Sequence, residues 1–305
     1  MFFTNSGAEA NEGAIKLARK FGQVHRSGAS TVLSFDNSFH GRTLATMAVS
    51  GKPGFDRIFA PAVPGFLKLP FNDLAAVAQA VTRDTAAILL ELVQGEAGVI
   101  EADAAFVAGL RTLCDRHGLL LMIDEVQTGI GRCGTLFVHE QYGVTPDVLT
   151  LGKGLGGGVP IGAVLAREEV CCFAPGDQGG TYNGNALVCA VASAVLEAVT
   201  APGFLDGVNR RGELLAAGLA SLAERHGTHA VRGRGLLLSM GLPEGMDATC
   251  VADIARTAID RDALLVNPVR PQRLRFMPAL DCSVGEVDTA CALLDAALAE
   301  VYSPR

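Results

Sequence analysis

Short, continuous apolar runs dominate the first two-thirds of this chain, and most of them end on a polar residue. The runs are Thr31–Phe35, Ala86–Leu92, Leu119–Ile123, Val148–Leu151 and Ile161–Ala166. They are far too short to cross a bilayer, and they lack the alternation of a strand with one wet face. Segments of helical period separate them: Ala8–Gly22, Ala75–Val81, Ala104–His117 and Gly184–Val199. In the first of these, Ala14, Leu17, Ala18 and Phe21 recur at helical spacing. Strands that are apolar on both sides and joined through helices predict an α/β fold, with a mostly parallel sheet covered on both faces.

Ala201-Pro202-Gly203 punctuates the chain. Beyond it the pattern predicts a helix over Leu205–His226, a strand over Gly235–Gly241 and a helix over Ala248–Arg261. Short strands at Leu264–Val266 and Arg273–Phe276 and a last helix over Val284–Val301 follow. This predicts a large domain over 1–200 and a smaller α+β domain over 201–305. With 49% hydrophobic and 19% charged residues in 305, the chain can bury a large core, which excludes a disordered protein. The net charge is −7 and no basic run is present, which argues against nucleic acid as the main partner. The eight cysteines form no C-x-x-C pair and read mostly as reduced core thiols. No signal peptide or membrane span is legible, so a soluble cytoplasmic protein is expected. None of the six histidines stands at metal-ligand spacing, and no metal is expected.

Ligands of open α/β sheets bind at the carboxyl ends of the strands. The polar residues there are Ser6-Gly7-Ala8, Phe39-His40, Gln94-Gly95-Glu96, Asp124-Glu125-Val126-Gln127 and Lys153. Ser6-Gly7-Ala8 opens a helix, where free N–H groups suit a phosphate; Ser6 and Glu9 equally fit a capping box. Asp124 can hold a cationic ring nitrogen, or cap the following turn. Lys153, one of only five lysines, lies between Gly152 and Gly154. It is either a Schiff-base nucleophile or a solvated surface lysine. Gly152, Gly154 and Gly157 match G-x-G-x-x-G, but Pro160 breaks the helix that a dinucleotide fingerprint must open. No P-loop is present.

Together these motifs resemble the class III aminotransferases of pyridoxal-phosphate fold type I. The resemblance rests on Thr4-Asn5-Ser6-Gly7-Ala8-Glu9-Ala10-Asn11, Ser38-Phe39-His40-Gly41-Arg42, Gln94-Gly95-Glu96 and Asp124-Glu125-Val126-Gln127. It continues through Leu151-Gly152-Lys153-Gly154, Gly180-Thr181-Tyr182 and Arg275-Phe276-Met277-Pro278, in that order. It implies pyridoxal 5'-phosphate as cofactor, with Gly7 and Ala8 amides on its phosphate and Ser6 beside them. Phe39 would stack on the ring, with His40 next to it, Asp124 on the pyridinium nitrogen, Gln127 at the phenol oxygen and Val126 among the ring contacts. Lys153 would bind the cofactor covalently and shuttle the proton. Thr181 would reach the phosphate of a partner subunit, so a homodimer with shared sites is implied. Arg42 would hold the carboxylate of an acetylated amino acid, and Arg275 the α-carboxylate of glutamate. Glu96 would neutralise Arg275 when the other substrate binds, although a plain surface ion pair is the alternative.

The text at Phe39–Arg42, Leu265–Asn267 and Arg275–Pro278 points to family members acting on N2-acetylornithine with 2-oxoglutarate, a step of arginine biosynthesis. Succinylornithine, succinyl-diaminopimelate, ornithine and 4-aminobutyrate stay open as donors. So do another pyridoxal-phosphate reaction and a non-catalytic chain. Gly180 stands where many relatives carry a serine that touches substrate, Leu92 where proline is common, and Ala186 likewise. The chain opens inside a strand-to-helix turn, with a longer segment expected ahead of it in relatives. The expectation is therefore an N-terminally shortened version of a longer enzyme, with an inactive fragment as the alternative to an active one.

Overall fold

A computed structural model describes residues 1–243, 247–257, 264–270 and 272–302. In chain order the elements begin with β1 (Phe2–Thr4), α1 (Gly7–His25), β2 (Thr31–Phe35), α2 (Leu44–Val49), α3 (Phe55–Ile58) and β3 (Phe66–Leu69). Next come α4 (Leu74–Ala80), β4 (Thr85–Leu90), β5 (Val93–Gln94), β6 (Ile100–Glu101), α5 (Ala104–His117) and β7 (Leu120–Asp124). Then follow β8 (Val148–Leu151), β9 (Gly162–Ala166), α6 (Ala186–Thr200), α7 (Phe204–His226), β10 (His229–Arg234) and β11 (Leu237–Gly241). The chain closes with α8 (Ala248–Thr257), β12 (Asn267–Val269), β13 (Arg273–Phe276) and α9 (Val284–Tyr302). These form two compact units. The first holds 1–92, 102–130 and 137–199; the second holds 93–101, 131–136 and 200–305.

The first unit is built on a sheet of order β1-β9-β8-β7-β4-β2-β3. β3, β2, β4, β7 and β8 run parallel, as the two-sided apolar runs of β2, β4, β7 and β8 predict, and every residue of β4, β7 and β8 is buried. β9 runs antiparallel to both β8 and β1, an exception that its apolar text does not announce. α1 lays Ala10, Ala14, Ile15, Leu17 and Ala18 against one face, in a cluster with Ala87, Leu89, Leu120 and Met122. Phe35, fully buried, meets the rings of Phe71 and Phe106 edge-on, with centroids 5.7 and 5.4 Å away. Phe106 lies on α5, where Val107, Leu110 and Cys114 are also buried. β3, α2 and α3 were not expected: their residues are too few or too mixed to set a period.

The second unit carries an antiparallel sheet of order β10-β11-β13-β12. One face, with Leu238, Met240, Leu274 and Phe276, packs into a cluster with Leu215 and Leu219 of α7 and Leu294 and Leu298 of α9. The strand expected at Leu264–Val266 forms instead at Asn267–Val269, beside β13. Pro268 can sit there because β12 is an edge strand. β10 was not expected either, yet it pairs along β11. Residues 258–261 of the helix expected to Arg261 lie outside the described residues. The stretch after β4 is not simply a strand end in the sheet: Val93–Glu101 forms the short hairpin β5–β6 and belongs to the second unit.

Replacing Phe35 by Ala removes the fully buried member of the mutually contacting Phe35–Phe71–Phe106 cluster. Its expected cost is about 3–5 kcal/mol, the range for truncating a buried Phe. Denaturant unfolding of the variant against the parent measures it; a loss under about 1 kcal/mol would mean that the aromatic cluster is not a packing centre.

Candidate active site

The first unit brings four segments together at strand ends. β7 and β8 lie side by side with Asp124 opposite Thr150, so Asp124 and the Gly152-Lys153 turn leave adjacent strands at the same edge. The start of α1 closes on them. A Cβ on Gly7 would lie 2.4 Å from Val126 Cγ1, and one on Gly152 would lie 3.2 Å from the Gly7 nitrogen. The loop after β2 also presses in: at Gly41 (φ +139°) a Cβ would meet Ala8 Cβ at 2.8 Å. Gly7 and Gly41 therefore let three backbones approach where any side chain would collide.

Asp124 is the centre of this arrangement and is buried. Its Oδ1 accepts from the Val126 N–H at 2.9 Å. Its Oδ2 accepts from Asn11 Nδ2 at 2.7 Å and from His40 Nδ1 at 2.8 Å. Asn11 is itself fully engaged: Nδ2 also donates to the His40 carbonyl at 2.8 Å, and Oδ1 accepts from Thr150 Oγ1 at 2.8 Å. The His40 N–H donates to Ser50 Oγ at 2.9 Å. Because Asp124 only accepts, the imidazole proton sits on Nδ1. Nε2 is buried and has no hydrogen-bond partner among the described residues. Burial works against a charged His40, but the hydrogen bond and charge of Asp124, with Glu91 behind, hold its pKa above the usual value.

Ser6 caps α1, its Oγ accepting from the Glu9 N–H at 3.2 Å. The reciprocal arm of the expected capping box goes one residue further back, with the Asn5 N–H donating to Glu9 Oε2 at 2.6 Å. That leaves the first amides of the helix, at Gly7 and Ala8, as outward donors at the positive end of the dipole. Lys153 is exposed and holds φ +40°, a left-handed conformation that costs a non-glycine residue about 1 kcal/mol or more. Phe39 is half-buried, its ring edge-on to Phe55 at 6.0 Å, and Gln127 is half-buried on the turn after Asp124. Arg42 is exposed. Gly180 and Thr181 are exposed and line a cavity of about 370 Å³ with Asn5, Glu12 and Lys16, apart from Asp124.

Glu96 and Arg275 both lie in the second unit. Arg275 Nη1 donates to Glu96 Oε1 at 2.8 Å, and the side chains are 10% and 33% exposed, so the pair is not a freely solvated surface bridge. The Glu96 turn is pinned from behind. Ser239 Oγ donates to the Gly98 carbonyl at 2.8 Å and accepts from Arg273 Nε at 2.9 Å.

Asn11, Thr150 and Glu91 complete the site without having been singled out individually. Thr150 and Glu91 each interrupt an otherwise apolar, buried run, which was the available signal; Asn11 lies among Glu9 and Glu12 and carries no such mark. Glu91 Oε2 accepts from the Phe39 N–H at 2.9 Å, and Glu91 is buried.

The residues fit pyridoxal phosphate. Outward helix amides suit its phosphate, a buried, hydrogen-bonded carboxylate suits a cationic ring nitrogen, and an exposed lysine stands on the adjacent strand end. Comparison with known proteins agrees. The model of the family described as Aminotransferase class-III matches residues 1–298. The chain is a class III aminotransferase.

As such it is a transaminase dependent on pyridoxal phosphate. Acetylornithine aminotransferase 2 of Bordetella parapertussis is 52% identical to this class III aminotransferase over 301 residues, covering 99% of this chain and 76% of that one. The structure of ornithine aminotransferase from Toxoplasma gondii ME49 superposes with a TM-score of 0.92 at 31% identity, over 100% of this chain and 73% of that one. The N-acetylornithine aminotransferase of Stenotrophomonas maltophilia K279a gives 0.82 at 36% identity, over 100% and 76%. Its family fold is the predicted fold type I.

Asn11→Ala would leave the Asp124 carboxylate short of one donor and the Thr150 hydroxyl and His40 carbonyl without their partner. The expected loss is about 1–3 kcal/mol, measured by denaturant unfolding, as for other buried polar groups stripped of a partner. A change within about 0.5 kcal/mol would contradict the role assigned to Asn11.

Burial pushes the Glu91 carboxyl up to about 7, with His40 pulling it down and Asp124 pushing it up. A carboxyl raised on folding binds its extra proton in the native state between its unfolded and folded values. The Glu91 contribution to stability is therefore most favourable below 4.5 and is lost as pH rises through about 7. Glu91→Gln keeps an acceptor for Phe39 and removes one charge that holds His40 up, so both contributions shrink. The variant should show a flatter fall over this window and greater stability than the parent above it. Unfolding midpoints from pH 4 to 9 test this, and an unchanged slope would refute it.

Proposed function

We propose that this class III aminotransferase moves the terminal amino group of N2-acetylornithine to 2-oxoglutarate, giving glutamate. The observation that carries the substrate class is the Arg275–Glu96 pair. An arginine partly shielded from water and held by an exchangeable carboxylate suits alternation between a substrate with a carboxylate beside its reacting amine and one without. Pyridoxal phosphate supplies the electron sink and carries the amino group between the two half-reactions.

This chain's residues do the rest. The Gly7 and Ala8 amides bind the phosphate, with Ser6 beside them. Asp124 keeps the ring nitrogen protonated, and His40 and Asn11 keep Asp124 aimed. Phe39 and Val126 flank the ring, and Gln127 reaches the phenol oxygen. Lys153 holds the cofactor and moves the proton through Nζ. Arg42 takes the α-carboxylate of acetylornithine, near the segment of Gly180. Arg275 takes the α-carboxylate of glutamate, and Glu96 neutralises it in the other half-reaction.

Cofactor binding belongs to residues 1–200 and the smaller domain to 201–305. Thr181 serves the phosphate of a second subunit, which makes the working form a homodimer. The step belongs to arginine biosynthesis in the cytoplasm. No single helix among the described residues is long and apolar enough to cross a membrane.

Ornithine is the second reading as donor, favoured by the higher TM-score of the Toxoplasma structure, 0.92 against 0.82. Sequence identity favours acetylornithine, at 52% for the Bordetella relative against 31% for that ornithine aminotransferase. Chemistry separates them, because an acetylated donor can react only through its terminal amine. Protein loaded with pyridoxal phosphate, assayed for glutamate release with each donor, should give acetylornithine a kcat/KM about tenfold or more above ornithine, a gap of ~1.4 kcal/mol. Lys153→Ala should lose both turnover and the visible absorbance of lysine-bound cofactor. A preference for ornithine, or a coloured and active Lys153→Ala variant, would overturn the corresponding assignment.

A further inference from the structure

Strand register places four polar side chains in one row across the second unit's sheet, with Arg232 of β10 at one end opposite Ser239. Arg275 of β13 stands opposite Ser239 of β11 on one side and opposite Asn267 of β12 on the other. Side chains alternate along a strand, so this row faces away from Leu274, Phe276, Leu238 and Met240, which fill the unit's core. The Arg275 guanidinium is held at two ends. Nη1 donates to Glu96 Oε1 at 2.8 Å, and Nη2 donates to Asn267 Oδ1 at 2.7 Å.

The two acceptors differ in kind. Glu96 brings a negative charge and sits on a short turn. Asn267 brings a neutral carbonyl oxygen on a paired strand, so it orients the guanidinium without cancelling its charge. Each terminal nitrogen of an arginine has two hydrogens, so one bond to Asn267 leaves Nη2 another for a carboxylate. A long side chain held only by Glu96 would lose its orientation whenever Glu96 let go. We propose that Asn267 is a specificity-determining positioning residue, which holds Arg275 at Nη2 while the acceptor at Nη1 is exchanged between Glu96 and the carboxylate of an α-amino dicarboxylic acid. The proposal rests on the reading of Glu96 and Arg275 given above.

Asn267 is exposed on an edge strand, so its replacement leaves the core intact. Two variants separate orientation from charge. Asn267→Ala removes the anchor. Asn267→Asp keeps the size and the acceptor but gives Arg275 a second carboxylate. In single-turnover half-reactions of the pyridoxal-phosphate-loaded protein, Asn267→Ala should raise the apparent Kd for glutamate about tenfold, the effect of losing one charge-assisted anchor. The acetylornithine half-reaction should stay within about twofold, because it makes no use of the freed guanidinium. Asn267→Asp should weaken glutamate at least as much, again sparing acetylornithine. A merely structural role predicts equal losses in both half-reactions for Ala and near-normal behaviour for Asp, and either result overturns the proposal. Calorimetric titration with 2-oxoglutarate provides a readout independent of turnover, with weaker binding expected for both variants and unchanged binding refuting the role. Should the unsubstituted protein process neither donor, the proposed function fails, while this titration still decides the case of Asn267.

Discussion

A carboxylate inside a protein must be surrounded by donors, and in this chain that requirement organises the site. Leaving an ionised Asp124 without partners would cost several kcal/mol. Three donors meet it, from Val126, Asn11 and His40, and each comes from a different segment. Asn11 is the member that links them all, since it also binds the His40 carbonyl and Thr150. The start of α1, the loop after β2, the turn after β7 and the end of β8 are thereby held to one another through side-chain atoms as well as through packing. The start of α1 and the buried Asp124 carboxylate are consequently fixed relative to each other by the same hydrogen bonds.

Proton placement follows from that network. Asp124 accepts on both oxygens, so His40 is committed to donating through Nδ1, and the imidazole responds to Asp124 and Glu91 together. Glu91 is buried nearby and is coupled both to His40 and, through the Phe39 amide, to the backbone beside it. A negative charge on Asp124 is thus supported by a donor shell whose own ionisation is tied to a second carboxyl. Lys153 differs from these groups. It is exposed and held in a left-handed backbone conformation, and such strain persists only where the surrounding structure over-determines it. The close approach of Gly152 to Gly7 is what leaves the backbone so little freedom there.

Much of this was legible in the residues, for a definite reason. Asp124 and Lys153 each follow an apolar run, and a polar residue at the end of a two-sided strand has only the sheet edge to occupy. The glycines around Ser6 and Lys153 likewise marked close backbone approach. Asn11, Thr150 and Glu91 were harder to read, because their partners are distant in sequence and a buried polar group is explained only by what it meets. Strand direction was equally hidden. β9 has the same apolar text as β8 yet runs antiparallel, since composition records burial and not polarity of the chain. The strand expected at Leu264–Val266 moved to Asn267–Val269 because pairing with Arg273–Phe276, and not local propensity, sets the register at an edge.

The hairpin at Val93–Glu101 shows how a short departure from one unit can equip another. It leaves the end of β4, yet its contacts lie with the second unit, where Gly98 is bound by Ser239 and backed by Arg273. Arg273 is buried with neutral acceptors, at Ser239 and the Ala230 carbonyl, and burial lowers its pKa to about 10. It remains charged at neutral pH, and Arg232 and Arg234 of β10 share its face of the sheet, so four arginines stand there with two carboxylates, Glu96 on Arg275 and Glu101 on Arg234. A face with that balance favours a further anion, and releasing Glu96 from Arg275 increases the attraction. A partly exposed ion pair contributes little to stability, so parting Glu96 from Arg275 costs the fold little.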